Sequence, residues 1–114
     1  MDTLSEATRA ALASVLGPTE RVTRAAAAVG CTLVLTDQHL HLVRDGVEFR
    51  PRSGIQSWVL DRSLTVRLTP VRQSTGRLIV ARAGQTASVF LTAAHAPWVE
   101  ALLAEIRSRI YMGT

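Results

Sequence analysis

Apolar positions recur with helical spacing at the two ends of the 114-residue chain and alternate with polar ones through its middle. Over residues 3–16, Leu4, Ala7, Ala11, Leu12 and Val15 fall on one helical face, with Glu6, Arg9 and Ser14 away from it. Thr3 can cap this helix while Glu6 reaches back to it in a capping box. Gly17-Pro18 ends it. About four turns of helix are not stable alone, so the apolar stripe must pack on something.

From residue 21 the period shortens to that of strands. Arg21–Val29 is a first strand, although Ala25–Ala28 also suits a helix. Gly30 interrupts the pattern and Cys31–Thr36 follows, rich in β-formers. Thr36-Asp37-Gln38 suits a tight turn, and His39–Arg44 alternates His-Leu-His-Leu. Asp45-Gly46 signals a hairpin leading to a short piece at Val47–Arg50, broken by Pro51 and Gly54. Ile55–Leu60 and Leu64–Thr69 are joined through Asp61-Arg62-Ser63. A turn at Ser74-Thr75-Gly76 leads to Leu78–Ala83, and Gly84-Gln85 connects that strand to Thr86–Leu91. The reading is about seven short antiparallel strands in a meander.

Helical period returns at the end. Pro97 fits the first turn of a helix that starts near residues 95–97. Trp98, Val99, Leu102, Leu103, Ile106 and Ile110 form its apolar stripe, and Glu105 and Arg109 make an i,i+4 pair. The expected class is α+β, mainly β. About seven antiparallel strands form curved sheets capped by a C-terminal helix, and an additional short N-terminal helix precedes them. No internal repeat or low-complexity tract interrupts this order, so 1–18 reads as the added helix and 19–114 as the domain itself.

The segment Leu33-Val34-Leu35-Thr36-Asp37-Gln38-His39-Leu40-His41-Leu42-Val43 resembles a hairpin of bacterial pleckstrin-homology-like (PH-like) domains. Gly54-Ile55-Gln56-Ser57-Trp58-Val59-Leu60 is similar to the strand that follows that hairpin, and the Trp-bearing last helix completes the order over roughly residues 19–110. One departure is His39, where the family usually carries a basic residue. The resemblance implies a PH-like barrel and a binding module without catalysis. In lipid-binding members, basic residues around the first loop hold the phosphoinositide. The matching connection, Val29-Gly30-Cys31, is short and uncharged, and Arg21 and Arg24 alone do not restore the pattern. Specific phosphoinositide recognition is therefore not expected.

Composition narrows the classes further. With 47% apolar and 19% charged residues the chain is not intrinsically disordered. No apolar run approaches the roughly 20 residues that span a bilayer. No basic stretch followed by an apolar core marks a signal peptide, and Cys31, the lone cysteine, reads as a buried hydrophobe in a reducing compartment. The expected location is cytoplasmic. All 13 basic residues are Arg, against nine acidic ones. Residues 53–92 hold Arg62, Arg67, Arg72, Arg77 and Arg82 against Asp61 alone, a candidate anion or lipid patch. A four-residue turn at 73–76 would set Arg72 opposite Arg77 and Arg67 opposite Arg82, an arrangement of like charges that destabilises a ladder unless something relieves it.

Other chemistry is sparse. Asp37, His39 and His41 have spacing that could place three ligands on one face, a candidate metal set that lacks a further ligand. The simpler reading makes both histidines the solvent-facing half of the alternation. No nucleophile elbow, activated cysteine or phosphate-cradling glycine loop is present, so neither an enzyme nor a cofactor is expected. Five aromatic residues are too few to interleave with the arginines as in single-strand nucleic-acid binders. Trp58 faces the core or the solvent according to the parity of its strand, and in the second case it could anchor an interface with Leu4 and Leu12 of the first helix. The leading expectation is a PH-like module working through protein contacts, with a protein partner or a second copy of itself. The alternatives are a peripheral membrane module using the Arg patch on anionic lipid, and a metal-binding protein using Asp37, His39 and His41.

Overall fold

A computed structural model describes residues 6–46, 54–72 and 75–112, with the side chains of Pro70, Val71, Tyr111 and Met112 left aside. The order is α1 (Glu6–Ala13), β1 (Val22–Ala28), β2 (Cys31–Thr36), β3 (His39–Arg44), β4 (Ile55–Val59), β5 (Thr65–Arg72), β6 (Thr75–Arg82), β7 (Gln85–Leu91) and α2 (Ala96–Met112). Thr3, Leu4 and the strand piece expected at 47–50 lie outside the described residues.

The strands form two antiparallel sheets, β1-β2-β3-β4 and β5-β6-β7, which are not closed into one hydrogen-bonded barrel. They meet at a corner where the Val29 amide donates to the Phe90 carbonyl at 2.9 Å. Between them lies the main core. Leu33, Leu35, Leu40, Leu42 and Trp58 of the first sheet face Leu78, Val80, Val89 and Leu91 of the second. The stripe Val99, Leu102, Leu103, Ile106 and Ile110 of α2 closes this core. Trp98 does not join that stripe and is 41% exposed. The buried positions run i, i+3, i+4, i+7 from Val99, which leaves its neighbour on the rim.

The first sheet is covered on both faces, which explains the unbroken apolar run Leu33-Val34-Leu35. On its outer face Leu12 of α1 packs against Val34 and Val43, with Ala11, Leu16 and Ile55 around them. This is where the short amphipathic helix finds the packing it requires.

The second sheet corrects three readings of the sequence. β5 and β6 run on to Arg72 and Thr75, which pair with each other, so residues 73–76 are not a four-residue turn. Gly76 takes a buried ladder position opposite Leu91 instead of a turn position. Arg67 therefore faces Ile79 and Arg77 faces Thr69, and the opposed arginine pairs do not form. The β6–β7 turn is Ala83-Gly84, one residue earlier than expected, with φ of 51° and 83°. Two positive φ values in a two-residue loop match the right-handed strand twist, and glycine fills the second.

Candidate functional site

Two places carry side chains arranged for more than packing. The first is a cleft of about 280 Å³ between the start of β5 and the C-terminal half of α2, lined by Leu64, Thr65, Val66, Arg67, Arg107 and Ile110. β5 is an edge strand. On one side it pairs with β6, and on the other no described strand pairs with it. Its free backbone edge thus borders a pocket with an apolar floor and two guanidinium groups. Neither Arg67 nor Arg107 has a carboxylate partner among the described residues.

The second is a buried polar node on the outer face of the first sheet, beside the patch that α1 covers. Glu20, 8% exposed, follows α1 and drops onto β3. Its Oε2 lies 2.8 Å from His41 Nε2 and 3.0 Å from His39 Nδ1 and also accepts from the Thr36 hydroxyl. Its Oε1 accepts from the Gly17 amide at 3.2 Å. His41 Nδ1 lies 2.6 Å from Ser57 Oγ on β4, a neighbour that the register predicts because His41 pairs with Ser57. Burial pushes the Glu20 carboxyl up. Hydrogen bonds from Thr36, His41, Gly17 and His39 outweigh it and bring the group down to about 2, so it is a buried carboxylate.

This node corrects the sequence reading of the histidines. His41 is 1% exposed rather than solvent-facing, because Glu20 and its segment lie over it. Asp37 does not join them: its Oδ1 accepts from the Arg21 amide at 3.0 Å. The third group is Glu20, which the i,i+2 spacing did not reveal. The signal was topological. Pairing β1 with β2 sets Val22 opposite Thr36, and so brings Glu20 beside the Thr36–His39 turn.

The arginine series is dispersed. Arg62 is exposed in the β4–β5 connection and Arg72 is exposed at the end of β5. Arg67 and Arg77 share the outer face of the second sheet. Arg77 lies over the Phe90 ring, 5.8 Å from its centroid, and donates to Ser88 Oγ at 2.6 Å. Arg82 is turned to Asp61 in a two-pronged ion pair, which holds the Asp61 carboxyl below its usual range. Arg21 and Arg24 lie at the start of β1, the end away from the Val29-Gly30 connection, so neither flanks the first loop; Arg24, opposite Leu35, pairs with Glu105 of α2 at 3.2 Å, and Arg21 is exposed. Of the two parities open to β4, the structure takes the one that buries Trp58, 2% exposed, with its indole N–H donating to the Gln85 carbonyl. Leu12 of α1 is likewise buried, against Val34 and Val43. Cys31 is buried and unpaired, and burial pushes its thiol up to about 11.

No described helix is long and apolar enough to cross a membrane. Neither a protein-family model nor a curated protein sequence matches the chain. Among solved structures, a pleckstrin homology domain from Shewanella amazonensis SB2B is similar, with a TM-score of 0.60 and 20% identity over 91% of this chain and 95% of that one. The fold is PH-like, in accord with the resemblance of the Leu33–Val43 hairpin and the strand after it.

Proposed function

We propose that the chain is a non-enzymatic PH-like binding module that acts through protein contacts, using the cleft between β5 and α2. The observation that carries this reading is the free edge of β5 beside a pocket containing Arg67 and Arg107. An extended partner segment can add to that edge through main-chain hydrogen bonds while one of its side chains enters the cleft. Two guanidinium groups without carboxylate partners among the described residues favour an acidic residue in that segment. Self-association through α1 has less support, because the apolar face of α1 is already spent on Val34 and Val43. The buried Cys31 thiol fits a reducing, cytoplasmic setting.

The anionic-membrane alternative draws on the same charge but needs several arginines on one face. Arg67 and Arg77 share such a face, whereas Arg82 is engaged by Asp61. Selection from a random-peptide library against the full chain tests the reading. Expected binders are extended, carry an acidic residue, and lose at least about tenfold in affinity to an Arg67→Glu/Arg107→Glu variant, the order of a truncated charge-assisted contact. Recovery of no binder, or salt-sensitive sedimentation of the chain with anionic vesicles in its place, would overturn it.

A further inference from the structure

We propose that Glu20, His39 and His41 form a binding site for a single divalent transition-metal ion, with Zn²⁺ the best match to the donor set. The inference is independent of the β5–α2 cleft, since the two sites share no residue.

The geometry is already close to that of an ion site. The Glu20 Oε2, His39 Nδ1 and His41 Nε2 atoms all lie within 4.8 Å of one another. Tetrahedral Zn²⁺ with nitrogen and oxygen ligands at about 2.0–2.1 Å sets neighbouring ligand atoms about 3.3 Å apart. The carboxylate oxygen is 2.8 and 3.0 Å from the two nitrogens, so it must withdraw by a few tenths of an ångström, roughly 0.3–0.5 Å. Two imidazoles and one carboxylate make a borderline donor set, suited to Zn²⁺ and to other late first-row ions, and not to Ca²⁺ or Mg²⁺.

The surroundings prepare the ligands. A metal at His41 Nε2 requires the ring proton on Nδ1, and Ser57 Oγ lies 2.6 Å from Nδ1 to accept it. Thr36 donates to the Glu20 carboxylate and fixes its orientation, while the Gly17 amide holds the other oxygen. With an ion bound at these atoms, the ring proton sits on Nδ1 in His41 and on Nε2 in His39. The side chains of Glu20 and His41 are sealed, at 1% and 2% exposure, and that of His39 is 32% exposed. An ion therefore enters past His39, and water completes its coordination from that side.

The test uses the full chain without an affinity tag, stripped with a chelator and dialysed, and titrated calorimetrically with Zn²⁺ alone. The expected result is one equivalent bound and a thermal midpoint that rises with Zn²⁺. His39→Gln, at the rim where folding is least at risk, should weaken binding more than about tenfold and abolish the Zn²⁺-dependent rise. Ser57→Ala should weaken it about 10–100-fold through the ring it orients. His95→Gln should change nothing, because His95 Nδ1 accepts from the Thr92 amide at the start of α2, away from the node. Less than one equivalent bound at millimolar Zn²⁺ would overturn the proposal, and so would binding that survives His39→Gln or follows His95.

Discussion

At the scale of the residue, Glu20 concentrates the most interaction in the fewest atoms. Its two oxygens serve Thr36, His39, His41 and the Gly17 amide. Glu20→Ala leaves these groups, one of them the sealed His41, without their acceptor, and each loss of a buried partner is costly. The expected destabilisation is about 3 kcal/mol in denaturant unfolding, with the β-sheet signal intact in native buffer. An unfolding midpoint equal to that of the parent chain would contradict this role. Cys31 gives a second prediction. With its thiol held up to about 11, the reactive thiolate is scarce at pH 8 in the folded chain. Alkylation by iodoacetamide at pH 8 should be slow in the native protein and fast in denaturant; equal rates would show that Cys31 is open. The histidines of the node were visible in the sequence as an i,i+2 pair. Glu20 was not, because it lies outside the alternating stretch and only the β1–β2 register brings it to Thr36 and His41, 16 and 21 residues further on.

At the scale of the element, α2 is locked to the first sheet by charge as well as by its apolar stripe. Arg109 donates to Thr23 Oγ1 at 2.8 Å, to Glu105 Oε2 at 2.8 Å and to the Thr36 carbonyl. Thr23 Oγ1 and Arg24 Nε also donate to Glu105. The i,i+4 pair legible in the sequence is thus part of a clamp from helix to strand. Burial raises the Glu105 carboxyl, and the Thr23 and Arg24 hydrogen bonds with the Arg109 and Arg24 charges bring it below its ordinary value. A depressed folded value gives stability that is full above the ordinary carboxylate range near 4.5 and is lost as pH falls below it. Glu105→Gln should therefore be less stable than the parent at pH 7, with the gap narrowing toward pH 3. A constant gap would assign the effect to packing. The second sheet shows why register was harder to read than element identity. Alternation located β5, β6 and β7, but Ser74-Thr75-Gly76 has turn chemistry, and only cross-strand pairing with Leu91 draws Gly76 into the ladder.

At the scale of the whole molecule, the strand order and the closing helix were legible because alternation and helical period differ so plainly between Cys31–Leu91 and Val99–Ile110. Burial of the first sheet on both faces was half legible. The run Leu33-Val34-Leu35 hinted at it, but only the packing of Leu12 on Val34 and Val43 shows what covers the outer face. That covering distinguishes the two sheets. The first is enclosed by α1 and the Glu20 node. The second keeps an outer face bearing Arg67, Arg77 and Phe90, the last 50% exposed, and no described strand pairs with its β5 edge beside α2. An unpaired strand edge is ordinarily blunted by charge or covered, and here it borders a cleft that can receive a side chain. The central claim is that this cleft is the contact surface. Its most direct test is an amide chemical-shift titration of the isotope-labelled full chain with a peptide selected as above. The largest shifts are expected on Leu64, Thr65, Val66, Arg67, Arg107 and Ile110. Shifts concentrated instead on Arg77, Ser88 and Phe90, or on α1, would contradict it.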